Sequence, residues 1–188
     1  MTLSSVGNNG INAKIANILP NVYGLDQQTT STLISVAGLL NILFFIIAGR
    51  WMAKSGAMTV LTGATLIRFV GALGMALIGM MTNNPLALVA ALFVLIFYQG
   101  NSFNRIAQGV VGMRFATIPP GSASGWVIAA SAAGSFFGAL IGGFLASSIG
   151  FNAINWMAAI AVGIALLLLV FLLWPAERKK RAAKAESG

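Results

Sequence analysis

The sequence predicts an all-α, polytopic membrane protein whose six transmembrane helices form two inverted three-helix repeats. Three observations lead to this fold class. The 188 residues are 58% hydrophobic and only 7% charged, which is far from the composition of a soluble domain. No charged residue lies between Arg114 and Glu177, and these 62 residues exceed the roughly 20 that cross a bilayer once. A pair of glycines also recurs at an offset of 94, half the chain length.

Turn-forming residues divide the chain into six predicted helices and a tail. Asn and Pro residues at 82–85, prolines at 119–120 and a Ser, Gly and Asn turn at 147–152 interrupt the apolar stretches. The predicted transmembrane domain covers residues 1–175, and residues 176–188 form a basic cytoplasmic tail. The helices are expected at about 1–22, 29–50, 58–81, 86–115, 121–148 and 152–175.

The first predicted helix is more polar than the other five. It contains Asn8, Asn9, Asn12, Lys14 and Asn17, which interrupt any apolar run. A secretory signal peptide is therefore not favoured, because such a peptide needs a basic start and an unbroken apolar stretch. Two interpretations stay open on the sequence: a polar helix within the bundle, or an amphipathic arm on its surface.

The distribution of basic residues predicts the orientation of the helices. The turns after the second, fourth and sixth helices hold eight of the 11 basic residues, namely Arg50, Lys54, Arg114, Arg178, Lys179, Lys180, Arg181 and Lys184. The opposite turns hold Asp26 and no basic residue. The positive-inside rule then places both termini in the cytoplasm, in a multi-pass protein of the inner (cytoplasmic) membrane. The tail is interpreted as an anchor on anionic lipid headgroups and not as a nucleic-acid site.

Three basic residues, Lys14, Arg68 and Arg105, remain within or near the bilayer. A basic side chain at mid-bilayer costs at least ~2.5–3.5 kcal/mol, so each needs a polar environment. Lys14 lies too deep for easy snorkelling, which leaves a cavity role or pairing with a helix C-terminus. Arg105 has the further option of reaching the cytoplasmic boundary.

The glycine repeat indicates how the helices are related. Gly49 and Gly56 recur as Gly143 and Gly150. A three-helix unit repeated within one membrane reappears upside down, which explains why the first copy of this turn is basic and the second uncharged. Inverted repeats are typical of secondary transporters.

A weaker echo pairs residues 14–17 with residues 105–108, since each begins with a basic residue followed at i+3 by an amide. By this alignment the first helix is short by about two turns at its cytoplasmic end. The expectation is either a stunted first helix or a chain that is a piece of something longer.

Residues 49–57 read Gly-Arg-Trp-Met-Ala-Lys-Ser-Gly-Ala, and residues 119–125 are followed by regularly spaced glycines. With these features nearly the whole chain resembles the C-terminal six-helix half of a major facilitator superfamily transporter. Gly49, Arg50, Lys54 and Gly56 match the family's cytoplasmic loop motif, Gly-basic-x-x-Asp-basic-x-Gly-basic. Ala53 and Ala57 replace the motif's Asp and last basic residue. The glycines resemble those of the family's eleventh helix.

The resemblance implies a secondary transporter that moves a small solute or drug by alternating access, as efflux or uptake. Its partners would be the lipid bilayer, the solute, and an N-terminal six-helix half or a second copy of the chain. The first and fourth helices would line the central cavity, the second and fifth would flank it, and the third and sixth would face lipid. Arg68, at the centre of the third helix, is therefore the least favoured cavity residue.

The predicted substrate-binding residues are amides, basic residues and one tyrosine of the first and fourth helices. They are Asn9, Asn12, Lys14, Asn17, Tyr98, Asn101, Asn104, Arg105 and Gln108. Helical periodicity places Asn101, Asn104 or Arg105, and Gln108 on one face. Such a cavity suits an anionic or zwitterionic solute, whereas its aromatic residues suit an amphiphilic drug, and both options stay open.

Gly134, Gly138 and Gly142 predict a helix-packing face, because glycine every four residues lets a neighbouring helix approach closely.

The composition excludes most enzymatic chemistry. The chain has no histidine and no cysteine, so an enzyme, a cofactor and a metal site are not expected. Its three acids lie outside the predicted spans, so no carboxylate there can carry a proton or bind sodium. The alternative to a transporter is a non-transporting membrane scaffold subunit or an inactive truncated remnant.

Overall fold

The computed structural model describes residues 2–81, 86–116 and 119–178, and these residues form helices and short turns without any strand. The helices are α1 (Thr2–Tyr23), α2 (Gln27–Ser55), α3 (Ala57–Ile78), α4 (Ala87–Phe115), α5 (Pro120–Ser148) and α6 (Asn152–Leu168). A π-helical turn, Leu169–Leu173, prolongs α6, and helical residues continue to Arg178. The predicted tail is therefore helical at its start. The predicted break at 82–85 and residues 179–188 lie outside the described residues.

The turn between α2 and α3 corrects the expected end of the second helix. α2 continues past residue 50 to Ser55, so Gly49, Arg50 and Lys54 are helical and do not form a loop. No proline interrupts this stretch, and the helix ends only where Gly56 adopts φ 83° and donates its N–H to the Met52 carbonyl. Of the four residues that match the loop motif, Gly56 alone lies in the turn.

At its other end α2 begins with a side-chain cap. The carboxylate of Asp26 accepts a hydrogen bond of 3.3 Å from the backbone N–H of Thr29. Asp is a favoured residue at this position because the first N–H groups of a helix have no partner within it. The bond stabilises the charged form, so it holds the pKa of the Asp26 carboxyl below its ordinary value.

The helix contacts have the symmetry that two repeats require. α1 packs on α5 and α6, α4 packs on α2 and α3, and α3 contacts α6. Exchanging the first three helices for the last three maps this pattern onto itself. The two turns that the glycine repeat equates are also alike, because Gly56 has φ 83° and Gly150 has φ 111°. The structure thus confirms an all-α fold of two three-helix repeats.

α1 is part of the bundle. Five helices of the described chain are long and apolar enough to cross a membrane, and α1 is not among them. Its side chains Ile11, Ile18, Leu19 and Tyr23 are nevertheless almost completely buried against α3, α4 and α6. Of the two interpretations left open by the sequence, a polar helix within the bundle is therefore the one that the structure shows.

Tyr23 joins three helices at one end of the bundle. Its hydroxyl donates a hydrogen bond of 2.7 Å to the Met75 carbonyl of α3 and accepts one of 3.0 Å from the Asn155 amide of α6. This polar tie lies inside an apolar cluster, where an unpaired polar group would be costly.

We expect Tyr23→Phe to destabilise the chain by about 1 kcal/mol, because the Asn155 amide loses a buried acceptor. Thermal unfolding in detergent measures this change. Tyr98→Phe is the matched control, since the Tyr98 hydroxyl makes no hydrogen bond with the part of the chain that the structure describes. Equal losses in both variants would contradict the role assigned to the tie.

Candidate functional site

A small polar cavity lies between α1, α3, α4 and α5. Its volume is about 160 Å³, and all the side chains that line it are polar although the surrounding bundle is apolar. The lining residues are Ser4, Ser5, Asn8 and Asn9 of α1, Arg68 of α3, Asn101, Asn104, Arg105 and Gln108 of α4, and Ser131 and Ser135 of α5.

Five of the nine predicted binding residues line this cavity, namely Asn9, Asn101, Asn104, Arg105 and Gln108. The four residues of α4 lie together because Asn104 and Arg105 are each three or four positions from both Asn101 and Gln108 along the helix. The helical spacing therefore identifies the wall of the cavity that α4 supplies.

The other four predicted residues do not line it. Asn17 is exposed and Lys14 is half-buried. The Asn12 side-chain oxygen is buried without a hydrogen-bond partner among the described residues. Tyr98 is half-buried, and its ring lies edge-on to that of Phe97 at a centroid distance of 6.3 Å. The structure thus brings five of the nine predicted residues together and leaves four outside the cavity.

Arg68 is the cavity residue that the sequence analysis ranked last. Its side chain has 0% exposure, and its two terminal nitrogens bind Ser4 of α1. Nη1 donates to the Ser4 hydroxyl at 2.5 Å, and Nη2 donates to the Ser4 carbonyl at 2.7 Å. Gly100 makes room for it, since a Cβ there would lie 2.5 Å from the Arg68 Cγ and 3.0 Å from the Arg68 backbone nitrogen.

A chain of polar contacts connects the helices around the cavity. The Asn104 amide faces the Ser4 hydroxyl at 3.5 Å and donates to the Gln108 oxygen at 3.3 Å. The Gln108 amide in turn faces the Ser131 hydroxyl of α5 at 3.5 Å. Each donor is a neutral amide, so the network leaves the charge of Arg68 uncompensated.

The cavity is positively charged. Arg68 and Arg105 both line it, and no carboxylate does. The acids of the chain lie elsewhere in the sequence: Asp26 caps α2, and Glu177 pairs with Arg114 at 3.3 Å. The third acid, Glu186, lies outside the described residues. A cationic, amide-rich cavity in a membrane domain can bind an anionic group of a solute.

The sequence matches the family profile of the Major Facilitator Superfamily over residues 1–188. The chain belongs to the Major Facilitator Superfamily. No curated protein matches the sequence. Members of this superfamily are transporters, so the chain is a multi-pass membrane protein of the transporter type whose apolar helices contact the lipid bilayer.

The family resemblance implies that the third helix faces lipid, and α3 does expose Leu66, Val70 and Leu77, although its other side is buried. Half of its most apolar stretch is buried, against 11% for α2 and 17% for α5. The reason is that α3 packs extensively on both α4 and α6, whereas α2 packs mainly on α4 and α5 packs mainly on α1. Arg68 therefore points into the bundle.

The three glycines predicted to form a packing face are on α5, and they lie against α1 beside the polar cavity. A Cβ at Gly134 would overlap the Thr2 carbonyl, and one at Gly138 would overlap the Val6 carbonyl. Gly142 faces Gly10 at an ordinary contact distance. The missing side chains let the backbones of α1 and α5 approach closely, and this approach holds the Ser4 end of α1 against the site.

Proposed function

We propose that the chain is the C-terminal half of a secondary transporter, and that it moves a small solute by alternating access with the polar cavity as part of its substrate site. The observation that carries this proposal is a cavity whose described lining residues are all of polar types, inside an apolar bundle of the Major Facilitator Superfamily. Polar and ionisable groups at membrane depth are costly, and in transporters they mark the path of the solute.

The exposed faces of α2 and α5 support a partner half. Leu39 and Ile42 of α2 and Trp126 and Phe136 of α5 are each more than 60% exposed. Lipid can cover such side chains, but α2 and α5 are also the helices that flank the cavity in the arrangement implied by the family. An N-terminal six-helix half, or a second copy of this chain, would therefore enclose the solute from the open side.

The basic residues support a cytoplasmic location of both termini. Arg114 at the end of α4 pairs with Glu177 beyond α6, and Met58 at the start of α3 lines a small pocket with Glu177 and Arg178. The ends of α2, α4 and α6 thus meet at one end of the bundle, which carries the positive charge expected of a cytoplasmic face of the inner membrane.

Uptake by proteoliposomes tests the proposed function. The chain is reconstituted alone and together with an N-terminal six-helix half, and uptake of radiolabelled organic anions and zwitterions is measured. We expect Arg105→Ala to reduce uptake about tenfold or more, because a hydrogen bond to a charged group contributes roughly 1.5–3 kcal/mol.

Arg178→Ala is the matched control for this experiment, since Arg178 is an exposed basic residue that does not line the polar cavity. It should leave uptake unchanged. Absence of uptake for every solute, with and without a partner half, would favour the non-transporting scaffold or remnant.

A further inference from the structure

We infer that the cavity binds the carboxylate of a small organic anion through the Ser4 hydroxyl and the Arg105 guanidinium, with Arg68 as the positive charge behind Ser4. This inference names the solute class of the site and rests on the proposed function for its role in transport. Binding of the anion does not depend on the proposed function, because the residues of the cavity themselves account for it.

The hydrogen bonds around Ser4 determine what its hydroxyl can bind. The oxygen accepts a bond from Arg68 Nη1, and the Asn104 amide nitrogen faces it from α4. A guanidinium has donors only, and an amide NH₂ likewise offers only hydrogens, so neither can accept the Ser4 proton. The hydroxyl donates to no acceptor among the described residues. Its proton is therefore available to an acceptor in the cavity that Ser4 lines.

The charges show that this acceptor is an anion. Arg68 is completely buried, and its Nε has no hydrogen-bond partner within the described chain. Arg105 is exposed and lines the same cavity, so two like charges face one space of about 160 Å³. A carboxylate there would reduce their repulsion and supply the negative charge that the described residues do not place in the cavity.

The fold does not require a guanidinium at the Arg68 position. Gly100 of α4 lies against Arg68 of α3, and the inverted copy of this crossing is formed by Gly7 of α1 and Val162 of α6. Arg68 and Val162 are 94 residues apart, the offset of the repeat, and the two glycines match this offset to within one residue. Since a valine fills the equivalent position, packing alone does not explain the arginine.

An adjoining cavity of about 250 Å³ suits an apolar part of the anion. It shares Ser4, Asn104 and Gln108 with the polar cavity, and leucine side chains of α6 and the π-helical turn form much of its remaining wall. An aromatic carboxylate is therefore a suitable probe, because its ring has an apolar neighbour and its carboxylate has the donors.

Equilibrium dialysis of radiolabelled benzoate against the purified full-length chain in detergent tests the inference. Benzamide has nearly the same shape without the charge, so it is the matched ligand control. We expect saturable benzoate binding that is about tenfold or more tighter than benzamide binding. Equal affinities would overturn the inference, and so would the absence of saturable benzoate binding.

Variants at Ser4 test the assigned donor. Ser4→Ala should weaken benzoate binding about tenfold, whereas Ser4→Thr keeps a hydroxyl and should restore most of it. Arg178→Ala, outside the polar cavity, should bind as the parent does. Equal affinity of Ser4→Ala and the parent would overturn the role of Ser4, and the threonine variant distinguishes a lost donor from a disturbed fold.

The two proposals can fail separately. Selective benzoate binding without uptake of any solute in proteoliposomes would contradict the proposed transport and leave the anion site intact. Uptake of neutral solutes by a chain that does not distinguish benzoate from benzamide would contradict the anion site and leave transport intact.

Discussion

Arg68→Met is expected to raise the thermal stability of the chain while it weakens benzoate binding about tenfold or more. The two effects have one cause, which is a buried positive charge that no carboxylate of the described residues neutralises. Its hydrogen bonds to Ser4 satisfy two nitrogens, but its Nε remains unpaired within the described residues. Removing a charge from water is costly, and in this cavity a bound anion would offset that cost.

Methionine is the suitable replacement because it is unbranched and of similar volume, so it can follow the first part of the same path past Gly100. Replacing a buried ion pair by apolar residues of similar volume is often neutral or stabilising by ~1–4 kcal/mol, and Arg68 has no charged partner among the described residues that the substitution would leave unpaired. For a chain of this size, each kcal/mol corresponds to about 2–4 °C in melting temperature. The substitution also removes the positive charge behind the Ser4 hydroxyl, so an anion bound to that hydroxyl is attracted less strongly.

Differential scanning fluorimetry in detergent and benzoate dialysis measure the two effects on one sample. Arg50→Met is the control, because Arg50 is an exposed arginine five residues before the end of α2, and it should change neither quantity appreciably. A marked fall in the melting temperature of Arg68→Met would show that the arginine is a structural element and would remove the reason for assigning it to a ligand.

Gly138→Ala is expected to destabilise the chain by about 1–3 kcal/mol, because the added methyl has no space. It would lie 2.9 Å from the Val6 Cα and would overlap the Val6 carbonyl oxygen, and these are backbone atoms that cannot rotate away. α1 must therefore move from α5. Because α1 carries Ser4, benzoate binding should weaken together with stability.

Gly143→Ala is the matched control on the same helix. A Cβ at Gly143 meets no atom within 4 Å, and alanine is the better helix former. This variant should be as stable as the parent or slightly more so. The close approach of α1 and α5 would be contradicted by a Gly138→Ala chain whose melting temperature and benzoate affinity equal those of Gly143→Ala.

Much of the fold could be predicted because the thickness of the bilayer fixes the length of each membrane-spanning helix. The uncharged stretch after Arg114 had to be divided into two spans by length alone, and α5 and α6 are those spans. The spacing of Asn101, Asn104 and Gln108 likewise assigns one wall of the cavity, because residues three and four apart share a helix face.

The position of Arg68 could not be predicted in this way. α3 is apolar around most of its circumference and its other polar residues are threonines, so periodicity gives little indication of which face is buried. The placement depends on the crossing of α3 and α4, where Gly100 makes room for the side chain. Lys14 and Asn17 could not be placed for the opposite reason. Polar residues are so frequent on α1 that the sequence does not show which of them line the cavity.

The π-helical turn in α6 affects the residues that follow it. Its last hydrogen bond runs from the Trp174 N–H to the Leu169 carbonyl, so the turn contains one residue more than an α-helical turn. One extra residue rotates the remaining helix by about 100° relative to uninterrupted winding. This rotation directs the Trp174 indole to the Thr62 hydroxyl, at 2.9 Å, and the Glu177 carboxylate to Arg114. A single inserted position thus sets how the end of the sixth helix is attached to the third and fourth.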